Sequence, residues 1–221
     1  MSPPDRPYRD RTDAGRRLSG HLSHLSGRND VVVLALPRGG IPVGVAVAEA
    51  LGFPFDIFLV RKLGVPGQPE LAAGAIAADG TVVMNDDIIA HTHTSPHELE
   101  AVIARETTEL ARREGAYREG RPALAVAGKT VVVVDDGVAT GATMRAALST
   151  LRRLGAATLI VAVPVGPGEV ATDFPDADSV ICPVTPHPFR GVGGAYDDFT
   201  QLTDRGVQSI LAGWYPPAGN P

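Results

Sequence analysis

The segment from Val131 to Thr143 concentrates the residue types that could do chemistry. Val131-Val132-Val133-Val134 is an apolar run that reads as a strand buried on both faces. It delivers two adjacent carboxylates, Asp135 and Asp136, to its C-terminal end. A small-residue turn through Gly137, Val138 and Ala139 leads into Thr140-Gly141-Ala142-Thr143, where a helix begins. Backbone N–H groups, two hydroxyls and a helix N-terminus suit a phosphate. Carboxylates cannot hold a phosphate directly. They can hold sugar hydroxyls, or a metal ion through water. A ligand with a phosphate, a ribose diol and Mg²⁺ would satisfy all of these groups together. The plainer alternative is a strand end with a solvated Asp pair, with Asp136 or Thr140 capping the next helix. A Walker A loop is excluded, because no Lys follows the glycine and the spacing differs.

Three further segments offer complementary groups. Leu36-Pro37-Arg38-Gly39-Gly40 follows an apolar run and opens a helix. Its glycines allow backbone to approach an anion closely, and Arg38 adds charge. Arg61-Lys62 ends a second strand-like run, before the Gly/Pro-rich stretch Leu63 to Glu70. Only two of the 20 basic residues are Lys, Lys62 and Lys129, which makes a point-charge phosphate contact at Lys62 worth weighing against an ordinary connector. The stretch from Pro186 to Phe199 has glycines and aromatics after the last strand, and reads as a shaped loop.

The run from Val131 to Thr143 resembles the phosphoribosyl pyrophosphate (PRPP) signature of type I phosphoribosyltransferases. That resemblance implies ribose and hydrated Mg²⁺ at Asp135 and Asp136, and the 5′-phosphate at Ala139, Thr140, Gly141, Ala142 and Thr143. Leu36 to Gly40 looks like the pyrophosphate loop of the same family, which assigns Arg38, Gly39 and Gly40 to PRPP. Arg61 and Lys62 are similar to a basic pair that meets pyrophosphate in the orotate and adenine branches and leads into a mobile loop, here Leu63 to Glu70. The implied catalytic set is Asp135, Asp136, Lys62 and Arg38. Val192 to Asp197 is similar to the base-recognition segment of hypoxanthine-guanine phosphoribosyltransferases, which implies base contacts from Phe189, Val192 and Asp197, with Phe189 one residue out of register. Ala139 stands where the hypoxanthine type carries an Asp, so no general base is evident. Including Tyr8-Arg9-Asp10-Arg11, the resemblance runs from about residue 8 to 215, to predicted bacterial phosphoribosyltransferases of unsettled acceptor.

The elements that must position these residues alternate. Strand signals fall at Val31–Leu36, Asp56–Val60, Thr130–Val134, Thr158–Val163 and Ser179–Cys182. Helical periodicity falls at Asp13–Leu25, Ile41–Leu51, Gly141–Leu154 and Asp204–Leu211. Ser95–Glu119 reads as one long helix, opened by the capping box Ser95-Pro96-His97-Glu98. Ala72–Asn85 reads as a hairpin about an Asp79-Gly80 turn. The expected fold is α/β, type I phosphoribosyltransferase-like, a doubly wound and mainly parallel sheet with flanking helices and a small hood or hairpin. One domain is expected over 1–221, with its core at about 8–215 and Pro-rich tails at 1–7 and 215–221.

Composition removes several classes. Of 221 residues, 44% are hydrophobic and 20% charged, which excludes wholesale disorder. Cys182 is the single cysteine, so no intrachain disulfide exists. No apolar run approaches membrane-helix length, and the N-terminus does not read as a signal peptide, so the expected location is cytoplasmic. A net charge of -5 and the interleaving of Arg105, Arg112 and Arg113 with Glu106, Glu109 and Glu114 argue against nucleic acid as a partner. His91, His93 and His97 lack partners at zinc-site spacing. The expected reaction transfers phosphoribose from Mg-PRPP to a nitrogenous acceptor, a nucleobase, releasing pyrophosphate and a nucleoside monophosphate. The resemblance also implies a homodimer. The alternative is a regulator that senses PRPP or nucleotide on the same fold without turnover.

Overall fold

The computed structural model describes residues 7–215, without the side chains of residues 69 and 70. The apolar runs pair as one parallel sheet of five strands: β1 (Val31–Ala35), β2 (Phe55–Ile57), β6 (Thr130–Val134), β7 (Thr158–Ala162) and β8 (Ser179–Ile181), in the order β2-β1-β6-β7-β8. Beyond the opening Thr130 and Thr158, each central strand is apolar because both faces are covered. Val31, Val33, Val132, Val134, Ile160 and Ala162 join a core with α1 (Arg11–His21), α2 (Gly40–Leu51), α4 (Pro96–Arg118) and α6 (Asp204–Trp214). Val32, Leu34, Val131, Val133, Leu159 and Val161 face α5 (Ala142–Arg153), through Met144, Ala147, Leu148 and Leu151. Helices on both faces make the expected doubly wound sheet.

The sheet order reverses between β1 and β6, whose residues pair from Val31 with Thr130 to Ala35 with Val134. The crossover through α2 goes outward to β2, and the crossover through α5 goes the other way to β7. The crevice outside the carboxyl ends of such strands is where open α/β sheets take ligands. It lies between Leu36–Gly40 and Asp135–Thr143.

A second sheet of three antiparallel strands stands apart: β3 (Val60–Val65), β4 (Gln68–Ala77) and β5 (Val82–Met84). It corrects two expectations. The run Asp56–Val60 is not one strand, because the chain leaves the parallel sheet at Ile57 and begins β3 at Val60. The stretch from Leu63 to Glu70 is not an open loop. It is the end of β3, a tight turn at Pro66 and Gly67, and the start of β4, with Val65 opposite Gln68. Gly67 has φ +77°, which this turn requires. Leu63 and Val65 are buried and hold the strand down. The hairpin about Asp79 and Gly80 forms as expected, with Ile76 opposite Val82.

The remaining elements follow local chemistry. Ser95 and Glu98 make the reciprocal capping box that starts α4. An additional short helix, α3 (Asp86–Thr92), lies outside the expected set. Asn85 caps it, and Asp86 and Asp87 fill its first turn. The expected helix from Asp13 to Leu25 begins two residues earlier and ends at His21, followed by a 3₁₀ turn at Ser23–Leu25. Of the expected tails, all but Pro7 and Tyr215 lie outside the described residues. Tyr215 belongs to the fold, since its hydroxyl donates to Asp56 Oδ1 at 3.0 Å. No described helix is long and apolar enough to cross a membrane.

Candidate active site

The buried strand β6 ends at Val134 and presents Asp135 and Asp136 to the switch-point crevice. The loop after β1 closes against them. A Cβ on Gly40 would lie 2.7 Å from the carbonyl oxygen of Val134 and 2.9 Å from Cα of Asp135, and a Cβ on Gly39 would overlap the Asp136 carboxylate. The two glycines are therefore required for the loops to meet. Arg38 leads this loop, joined to Pro37 by a cis peptide bond. Its Nη1 lies 3.7 Å from Asp204 Oδ1, and Asp204 also takes Arg112 at 3.0 Å and the Tyr117 hydroxyl at 2.5 Å.

The acidic pair is electrostatically costly. Burial, then the neighbouring Asp136 charge, pushes the Asp135 carboxyl well above the ordinary carboxylate range. Asp136 is also raised by burial, opposed by the hydrogen bond and charge of Arg11. Arg11 Nε reaches Asp136 Oδ2 at 2.7 Å, and the Tyr196 hydroxyl donates to the Asp136 carbonyl at 2.5 Å. Two coupled, partly buried carboxylates sharing one arginine form a site that favours further positive charge.

The helix starts divide by location. α1, α3, α4 and α6 are each capped by a side chain, from Asp10, Asn85, Ser95 and Thr203. α2 and α5 have no side-chain cap, and these two open at the switch point. Gly39 and Gly141 stand at their N-caps, with Gly141 at φ +70° and Thr140 and Thr143 exposed beside it. At α2 the Gly40 and Ile41 N–H groups donate to the Leu36 and Arg38 carbonyls at 3.0 and 3.3 Å, so the α5 start is the one that better suits an anion. Among the predicted PRPP residues, the structure thus brings Gly39 and Gly40 against Asp135 and Asp136, with Arg38 beside them turned to Asp204, and the acidic pair continues along the backbone to Ala139, Thr140, Gly141, Ala142 and Thr143.

Arg61 and Lys62 are not at this edge, because β3 belongs to the small sheet. Arg61 pairs with the buried Glu106 of α4 at 2.7 Å, and Lys62 stands opposite Ala75 of β4. Both line a cleft of about 610 Å³ between β3 and α4, with Arg105 and Glu98. A second cleft, about 690 Å³, lies between β4, β5 and α5 and touches the phosphate turn at Ala142. Neither has the acidic pair in its wall. The carboxylates, the helix starts without side-chain caps and the close-packed glycines converge instead at the switch-point crevice.

The segment expected to recognise a base reaches the same edge. Val192 packs on Gly137, where a Cβ would lie 2.5 Å from Val192 Cγ1. Phe189 and Val192 pack against a cluster of Tyr8, Ala14, Val165, Ala195 and Tyr196. Asp197 is exposed, and its N–H donates to the Tyr8 carbonyl at 2.9 Å. Arg11, Tyr196 and Asp204 are site residues beyond those predicted from the sequence, where Tyr8 to Arg11 enter only as part of the resemblance. Among the described residues no group of three or more His, Cys, Asp or Glu side chains is placed to hold a metal.

The family model for the phosphoribosyl transferase domain matches residues 9–192. The chain belongs to that family. This phosphoribosyl transferase domain is 47% identical over 205 residues to a Mycobacterium tuberculosis protein of strain H37Rv, provisionally named a phosphoribosyl transferase, and equally to its counterpart in strain CDC 1551 / Oshkosh. The match covers 92% of this chain and 46% of each relative, so the chain spans about half the length of the curated relatives it matches. The crystal structure of TT1426 from Thermus thermophilus superposes with a TM-score of 0.85 at 42% identity, covering 94% of this chain and 98% of that one. The fold expected of a type I phosphoribosyltransferase is the fold observed, and the PRPP-like segment falls inside the matched region.

Proposed function

We propose that this domain transfers the phosphoribosyl group of Mg-PRPP to a nitrogenous acceptor, a nucleobase, and releases pyrophosphate. One observation carries the reading: two uncapped helix starts flank a buried carboxylate pair, in backbone contact at the sheet's switch point. The 5′-phosphate would take the N–H groups and hydroxyls from Ala139 to Thr143. Asp135 and Asp136 would hold the ribose hydroxyls. Arg38 and the Gly39 amide would meet the pyrophosphate, with Gly40, whose N–H donates to the Leu36 carbonyl at 3.0 Å, allowing the close approach.

The donor set fits hydrated Mg²⁺. Hard oxygen ligands, an excess of negative charge and only two carboxylates match an ion that keeps its waters and shares substrate phosphates. With Mg²⁺ bound, the charge building on the departing pyrophosphate would be shielded. In the reaction the C1′–O bond to pyrophosphate breaks and a C1′–N bond to the acceptor forms, with inversion and oxocarbenium character. The protein's own part is positioning and fixed charge. Ala139 supplies no base, so the acceptor proton leaves to solvent or to a group on the acceptor side. Phe189, Val192 and Asp197 are the proposed base-side residues, supported by the contact of Val192 with Gly137.

The test is pyrophosphate release from Mg-PRPP across a panel of bases and amines, run beside calorimetry with Mg-PRPP alone. Release above background with one acceptor establishes transfer. Binding without release from any acceptor selects the non-catalytic PRPP sensor, and no binding removes the donor assignment.

A further inference from the structure

Asp136 is held by parts of the chain that lie outside the PRPP-like run from Val131 to Thr143. Arg11, at the first position of α1, puts Nε on Asp136 Oδ2 at 2.7 Å while its Nη1 donates to the Thr200 carbonyl at 2.9 Å. Its guanidinium lies 4.0 Å from the centre of the Phe199 ring, which stacks on Tyr196 at 5.0 Å. Tyr196 returns to the site by donating its hydroxyl to the Asp136 carbonyl. Tyr8 pairs with Tyr196 as an isolated bridge and anchors through Pro164, its hydroxyl 2.9 Å from that carbonyl. The N-terminal segment and the 196–200 segment thus form one clasp. Arg11 is its only cation on the acidic pair among the described contacts, and both partners are largely buried, at 11% and 14% side-chain exposure.

We infer that Arg11 is a positioning residue for the ribose end of the donor, acting through Asp136. The inference rests on the donor site proposed above. A largely buried carboxylate beside a second one needs a fixed partner to stay in place. Arg11 is that partner, through an end-on Nε contact, not a fork on both oxygens. The carboxylate thus keeps an oxygen for a ribose hydroxyl. The aromatic plate of Phe199 and the carbonyl of Thr200 fix the guanidinium, which fixes Asp136. A Lys in this place would retain charge but lose the planar seat on Phe199.

The test is calorimetric binding of Mg-PRPP and of Mg-pyrophosphate to the wild type and to Arg11→Ala, Arg11→Lys, Asp136→Asn and the Arg11→Ala/Asp136→Asn pair, with melting curves. Arg11→Ala should weaken Mg-PRPP by about tenfold or more, as loss of a charge-assisted contact does. It should weaken Mg-pyrophosphate clearly less, because that ligand shares the hydrated Mg²⁺ but has no ribose hydroxyl. Arg11→Lys should restore part of the loss. The double variant should be no weaker than Asp136→Asn alone, because the two residues act as one unit. Additive losses, an equal loss for both ligands, or wild-type affinity in a folded Arg11→Ala protein would each overturn the role of Arg11. If Arg11→Ala does not fold, the comparison of Arg11→Lys with wild type in both Asp136 backgrounds decides the same question. A wild type that fails to bind Mg-PRPP overturns the donor site itself, and the role of Arg11 falls with it.

Discussion

Two aspartates, Asp56 and Asp135, sit in the same parallel sheet layer and are treated in opposite ways. Asp56, on β2, is 3% exposed. Arg118 Nη1 donates to both of its oxygens at 2.8 and 2.9 Å, and Leu124 N, Tyr215 Oη and Ile57 N complete its shell at 2.8–3.0 Å. Asp135 follows β6 and accepts the Asp136 N–H at 2.8 Å, with a second carboxylate next to it where Asp56 has a guanidinium. Burial and that neighbour still push it up. A buried acid whose oxygens are saturated by the fold is scaffold. A buried acid left short of positive charge, at the switch point of the sheet, is held ready for a ligand.

The largest expected effect separates the two. Arg118→Ala leaves Asp56 buried and uncompensated, and should cost about 3–5 kcal/mol of stability, the usual outcome of breaking a buried pair from one side. The double change Asp135→Asn with Asp136→Asn should leave the fold intact and weaken Mg-PRPP binding by roughly tenfold or more. Chemical denaturation and calorimetry on both variants check this. If the Asn pair unfolds the protein while Arg118→Ala does not, the assignments of scaffold and site are reversed.

Lys62 comes next. The Gly/Pro punctuation from Gly64 to Pro69 marks where the chain turns, but it does not tell whether the arms on either side pair. They do pair, and Lys62 is carried onto the small sheet. If this sheet closes over the donor during turnover, Lys62→Ala should lower kcat by roughly 10²-fold with little change in KM, as for other electrostatic groups that act in the transition state. Wild-type turnover in Lys62→Ala assigns the residue to the cleft beside α4.

The same logic explains what could be read from the sequence. The three central strands of the parallel sheet were legible because burial on both faces leaves nearly uninterrupted apolar runs, as in Val131 to Val134, whereas at β2 Asp56 breaks the run and the expected strand fell too late in the chain. The donor site was legible because the elements that build it, Leu36 to Gly40 and Asp135 to Thr143, are each contiguous. Arg11 was not, since its partner Asp136 is 125 positions away and nothing local marks an Arg for that contact. Asp204 was hidden in the same way, because it reads as a helix-start residue and only the packed fold brings Arg38, Arg112 and Tyr117 to it. α3 was missed for a different reason. Asn85, Asp86 and Asp87 do form a local start signal, but seven residues give too few turns for an apolar stripe.

A smaller effect is expected on the acceptor side. Stacking of a base on an aromatic contributes about 1–3 kcal/mol by alanine substitution in single-strand-binding proteins. Phe189→Ala should weaken nucleoside-monophosphate binding and spare Mg-PRPP, while Asp197→Asn should change which base is preferred. Phe189 also packs on the cluster containing Tyr8, Val165 and Tyr196. A melting curve therefore accompanies the titration. Lost stability with base-independent affinity would make Phe189 part of the clasp and not of the pocket.

The smallest effect tests the charge imbalance itself. Asp135 has a folded-state pKa raised above its unfolded value, by burial and by Asp136. The native state therefore holds its proton more tightly, and ∂ΔG/∂pH is negative across the window. This contribution is fully present below the ordinary carboxylate value near pH 4 and is lost as pH rises through the raised folded value. Asp13, Asp178 and Asp204 are lowered and have the opposite sign, with their losses at more acid pH. The measurement is thus the difference in Tm between Asp135→Asn and wild type, without ligand, from about pH 4 upward. The variant should gain on the wild type as pH rises and be the more stable protein at neutrality. A gain of a few degrees is the expected scale, since about 1 kcal/mol moves a domain of this size by roughly 2–4 °C. At Asp56 the same substitution should destabilise, because the Arg118 guanidinium would lose its counter-charge. A flat difference curve for Asp135→Asn would mean that the fold already compensates the acidic pair, and the contrast between the two aspartates would fail.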